Sequence, residues 1–69
     1  MKAVSFQAAR KALKAGKLVA LDITDLQGIK MRHRVLTIRT YRYSEILHVE
    51  VEAGWYTGVS PKIKFQVES

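Results

Sequence analysis

Eight cations stand at spacings that could gather them on surfaces. Arg10, Lys11, Lys14 and Lys17 recur within one short stretch, and Lys30, Arg32 and Arg34 alternate with Ile29, Met31 and His33 before Arg39 follows. Residues 1–21 carry Lys2, Arg10, Lys11, Lys14 and Lys17 with no acid. Residues 26–44 carry Lys30, Arg32, Arg34, Arg39 and Arg42, again with none. Clustered ammonium and guanidinium groups attract phosphate backbones whatever the base sequence, so the chemistry open to these blocks is charge recognition. Glu50 and Glu52 can pair across a sheet with Arg34 or Arg39, which would leave an ordinary solvated face worth about 0–1 kcal/mol per pair. No acid in the nearby sequence offers the same neutralisation to Arg10, Lys11, Lys14 and Lys17.

Aromatic rings could add stacking on bases. Trp55 and Tyr56 are expected near Arg32 and Lys30, a basic and aromatic corner that is the preferred contact site. The competing reading makes Trp55 a cap on a small core. Tyr41 and Tyr43 would sit at a hairpin tip, roughly 25 Å from Trp55 at about 3.3 Å per residue, so two separate aromatic patches are expected.

Catalytic constellations are scarce. His33 falls in an inward set and His48 in an outward one, so they do not share a metal, and no cofactor is implied. The four serines lie in expected caps, turns or the terminus, away from any base with an orienting acid. Gly54-Trp55-Tyr56-Thr57-Gly58 lacks the Lys-Ser/Thr ending of a phosphate-cradling loop. The chain reads as a binder and not an enzyme.

The elements that must position these residues follow from periodicity. Ser5 precedes residues 6–15, rich in alanine, lysine and leucine, and Gly16 is a natural left-handed stop, so a short helix is expected there. Phe6, Ala9, Ala12 and Leu13 form its apolar stripe. From residue 17 the period changes to two, with Val19, Leu21 and Ile23 inward. Asp25-Leu26-Gln27-Gly28 reads as a hairpin turn that brings Asp22 opposite or near Lys30.

The second strand, residues 29 to about 41, changes parity. Ile29, Met31 and His33 are the apolar-side set at first, then Leu36 and Ile38. A β-bulge near Arg34 and Val35 would restore one inner face. A hairpin with Tyr43 and Ser44 at its tip then sets Leu36 against Val51, Ile38 against Val49, Arg39 against His48 and Thr37 against Glu50. Residues 53–61, with two glycines and the only proline, read as a loop, and residues 62–68 as a last strand with Ile63, Phe65 and Val67 inward. The expected fold is α+β, an N-terminal helix packed on a four-stranded antiparallel sheet or a small barrel, in the order α-β-β-β-β.

The chain as a whole sets bounds on this reading. Its 69 residues make one domain, 1–69, with 48% hydrophobic and 26% charged residues, a globular composition with a net charge of +6. A core of this size leaves only about 3–5 kcal/mol of stability, which gives self-association a purpose. There is no cysteine to build a disulfide or thiolate zinc site, in keeping with a reducing cytoplasm. No run is long enough for a membrane span or a signal-peptide core, so no membrane association is expected.

Val4-Ser5-Phe6-Gln7-Ala8-Ala9-Arg10-Lys11-Ala12-Leu13-Lys14-Ala15-Gly16-Lys17-Leu18-Val19 resembles the helix, glycine and first strand that open some small phage accessory proteins, including inhibitors that sequester nucleotide signals of bacterial defence. The resemblance covers under a third of the chain and implies a mobile-element origin. Those proteins carry a tryptophan soon after the first strand and another near the end, whereas the sole tryptophan here is Trp55, so no site is carried over. Two functions are expected on these grounds. One is a nucleic-acid or nucleoprotein binding module using Arg10, Lys11, Lys14, Lys17, Lys30, Arg32, Arg34, Arg39, Trp55 and Tyr56. The alternative is a small phage-type inhibitor or adaptor that docks on an acidic surface of a host protein.

Overall fold

The computed structural model describes residues 1–41 and 45–68. Along the chain run β1 (Lys2–Val4), α1 (Phe6–Lys14), β2 (Val19–Thr24), β3 (Lys30–Thr40), β4 (Leu47–Val51), β5 (Gly54–Val59) and β6 (Phe65–Val67). The strands pair antiparallel in the order β1-β6-β2-β3-β4-β5. The α+β class is as expected, but the described residues form a sheet of six strands where four were expected. It is open, with β1 and β5 as its edges, so the barrel alternative falls.

Helix α1 starts where its first turn is capped. Ser5 is extended, at φ −68° and ψ 165°, and its hydroxyl oxygen accepts a hydrogen bond from the Ala8 N–H at 3.3 Å. Ala9 is fully buried, and Phe6, Ala12 and Leu13 pack partly buried against the same core. That stripe lies across β2, β3 and β6 on one face of the sheet. Phe65, Leu21 and Leu47 are the largest side chains fully enclosed beneath it, each worth about 1.5–3 kcal/mol by burial.

The two strands not foreseen have different causes. Strand β1 is three residues long, too short to show alternation, and is held by a partner at the far end of the chain through Lys2 opposite Val67 and Val4 opposite Phe65. Strand β5 was masked by its glycines. Gly54, at φ 138°, follows the two-residue turn Glu52-Ala53 and sits opposite Val51. Gly58, at φ 78°, belongs to a bulge, since Thr57 and Gly58 lie between the pairs Val49–Tyr56 and Leu47–Val59. A left-handed residue at a bulge suits glycine, whose missing Cβ removes the steric penalty.

Strand β3 carries the expected bulge, displaced along the chain. Val35 opposes Val51 and Thr37 opposes Glu50, so Leu36 is the extra residue and does not face Val51. Val35 is 2% exposed and Leu36 46%. Both are apolar, so the parity change marks a bulge without saying which of them leaves the ladder. The other expected pairs, Ile38 with Val49 and Arg39 with His48, are present. The expected tip at Tyr43 and Ser44 lies outside the described residues.

The sheet curls over its inner face. In a flat sheet, β5 and β6 would stand four strand spacings apart, about 19 Å. Six residue steps from Val59 to Phe65 reach about 20 Å only when fully extended. This connection is folded, because the Ile63 N–H donates to the Ser60 carbonyl at 3.1 Å. A ring contact across the concave side agrees: His33 on β3 and Tyr56 on β5, strands that are not neighbours, lie 5.5 Å apart between centroids.

Candidate nucleic-acid interface

Alternation along β3 sends Lys30, Arg32 and Arg34 to the face opposite α1. The bulge at Leu36 then resets the phase so that Thr37 and Arg39 share it. Ala20, buried at 4% yet outside the main core cluster, is the small residue between Arg34 and Gln66 on this outer face. Without the extra residue Arg39 would point inward, so the bulge is what keeps four cations on one side.

Their charges are not equally available. Arg32 grips Asp22 through two hydrogen bonds, Nε to Oδ1 at 2.8 Å and Nη2 to Oδ2 at 3.0 Å, with the Lys30 ammonium 3.8 Å from Oδ2. The hydrogen bond from Arg32 holds the Asp22 carboxyl below its ordinary range, against a smaller opposing effect of desolvation, and Asp22 raises Arg32 in return. Arg34 has a looser partner in Glu52 at 3.8 Å, with both side chains well exposed. Glu50 accepts from the Thr37 hydroxyl at 3.2 Å. Arg39 has no carboxylate beside it among the described residues; its guanidinium lies 5.2 Å over the centre of the Trp55 ring.

That contact corrects the expected aromatic layout. Strand β5 doubles back beside β4 and places Trp55 opposite Glu50. Trp55 therefore lies by Arg39 and not in a corner with Arg32 and Lys30. It is 46% exposed and does not cap the core. Tyr56, one residue on, faces the other way: it packs against the core, with its hydroxyl 3.3 Å from His33 Nε2. Tyr41, half exposed, meets the His48 ring edge-on at 4.6 Å, and His48 is the register partner of Arg39. Tyr41, His48, Arg39 and Trp55 thus form one row where two distant patches were expected. His48 and Tyr41 were missed as members of a site, and the signal that could have found them is the glycine after Glu52-Ala53, which marks a tight hairpin.

The helix cations divide as well. Arg10, Lys11, Lys14 and Lys17 are exposed and make no ion pair among the described residues. Arg10 and Lys14 border Leu36 and Thr37, and Arg10 Nη1 lies 3.4 Å from the Thr40 hydroxyl, next to Tyr41. Lys11 and Lys17 line the opposite flank of α1, beside β1. The ten expected site residues are therefore spread over an outer sheet face, two flanks of a helix and, for Tyr56, the inner face.

Among the described residues, no three His, Asp or Glu side chains come together as a metal-holding group, and no helix is long and apolar enough to cross a membrane. No family model matches the chain, and no curated protein or solved structure matches it either.

Proposed function

We propose that this chain binds nucleic acid on the outer face of its sheet and prefers single strands. The observation that carries the reading is the row Tyr41, His48, Arg39 and Trp55, two half-exposed rings and a guanidinium with no acid partner among the described residues, on a sheet face that α1 leaves uncovered. Unpaired bases offer π-faces to Trp55 and Tyr41, each stack worth about 1–3 kcal/mol, and Arg39 serves both a ring and a phosphate. Paired bases in a duplex keep those faces to themselves. Arg34, with a distant and solvated partner, extends the cationic track along β3. Arg10 and Lys14 extend it around the end of β3 through the contact with Thr40. Lys30 and Arg32 add less, because Asp22 already occupies them. A cytoplasmic setting suits this role, since a chain without cysteine draws nothing from an oxidising compartment.

Anisotropy titrations with fluorescent single-stranded and duplex oligonucleotides at 50 and 200 mM salt test the reading. With about four phosphate contacts the single-strand affinity falls roughly 50-fold across that interval, from a slope of about −0.7 per contact. Equal affinity for duplex, or affinity indifferent to salt, overturns it.

A further inference from the structure

The other side of the molecule carries a second surface. Between α1 and the inner side of β1 and β6 runs an open groove of about 610 Å³. Its floor is aliphatic, with Val4, Ala12 and Val67, and among the described residues it presents no ring on which a base could stack. Around it stand Lys2, Lys11 and Lys17, none of them in an ion pair among the described residues. The one acid in the lining among the described residues, Glu68, is engaged elsewhere: its carboxylate accepts the Leu18 N–H at 2.7 Å. Strand β1, which forms one wall, pairs among the described residues on one side alone, with β6, so that its second edge offers main-chain groups to a partner strand.

We propose that this groove docks an extended acidic peptide that adds as a strand to the free edge of β1. Strand addition supplies main-chain hydrogen bonds, and alternate side chains of the added strand point to one face. At its inward-facing positions, every second residue, aliphatic side chains lie over Val4 and Ala12 and carboxylates meet Lys2, Lys11 and Lys17. Charge complementarity selects the occupant. A basic or neutral strand would leave three ammonium groups unanswered, and a second copy of this +6 chain would bring more of the same sign.

The test uses the full chain, 15N-labelled, titrated with the synthetic peptide Thr-Val-Thr-Glu-Thr-Val-Thr-Glu, whose period-two spacing puts valine and glutamate on the same face. A peptide with lysine in place of glutamate is the control. Amide shifts are expected at Ala3, Val4, Ala8 and Ala12 with the acidic peptide alone. The double variant Lys11→Glu/Lys17→Glu should weaken binding at least tenfold, and Ala8→Phe should block it by filling the groove from an exposed helix position. Trp55→Ala, which removes the stacking ring of the other face, should leave peptide affinity within twofold, so this surface stands or falls apart from nucleic-acid binding. Shifts confined to β5 or the outer face, no binding at millimolar peptide, or unchanged affinity in the lysine double variant each overturn the proposal.

Discussion

The Arg39 guanidinium lies over the Trp55 ring, 5.2 Å from its centre, although the two residues sit on strands separated by β4. Three local features make the contact. The bulge at Leu36 turns Arg39 outward, the two-residue turn before Gly54 brings β5 back along β4, and Glu50 turns to Thr37, so that among the described residues no carboxylate pairs with Arg39.

Trp55→Ala should separate binding from folding. Loss of one stacked base costs about 1–3 kcal/mol, a roughly five- to 150-fold weaker affinity for a single strand. The ring is 46% exposed and outside the core, so stability should change by less than about 0.5 kcal/mol in urea unfolding. Tyr56→Ala should do the reverse, losing about 2 kcal/mol of stability with affinity little changed, because Tyr56 packs against the core on the other face.

The bulge can be located by mutation. Val35→Ala should cost about 2 kcal/mol and Leu36→Ala less than about 0.5, since Val35 is enclosed and Leu36 lies largely in solvent. A larger loss of denaturant midpoint in Leu36→Ala than in Val35→Ala would mean that Leu36, not Val35, faces the core.

These residues also show what the sequence could reveal. Ser5, the apolar stripe of α1, the inward set of β2 and the pairing of Arg39 with His48 are local or period-two features, and all were legible. Strand β1 was not, because three residues have no period and their partner is at the far end of the chain. Strand β5 was hidden because Gly54 and Gly58 carry the same sign of loop whether they end a strand or bend one. That one omission displaced the site: with residues 53–61 read as a loop, Trp55 was set beyond the C-terminal end of β4 instead of beside it, and Tyr56 on the wrong face.

Helix cations should differ by flank. Lys14→Ala should reduce the slope of log affinity against log salt for a single strand by about 0.7, the loss of one phosphate contact. Lys17→Ala, on the flank facing β1, should leave the slope unchanged. The two slopes, measured side by side, decide whether the nucleic acid passes the end of β3 or spreads over the whole helix.

The Asp22–Arg32 pair predicts a pH dependence with a definite sign. The Asp22 carboxyl is held below its ordinary value in the folded chain, so its contribution to stability is present above the unfolded value near about 3.9 and is lost as pH falls through the lower folded value. Carbon-13 titration of the Asp22 carboxyl should give a midpoint below about 3.9, and Arg32→Ala should return it towards that figure.

Trp55 is the only tryptophan of the chain, so its fluorescence reports on the proposed contact with no label. The account predicts that a single-stranded oligonucleotide quenches this emission saturably at low salt, that raising the salt restores it, and that Arg39→Ala weakens the effect. Binding detected by another method with the Trp55 signal unmoved would contradict it.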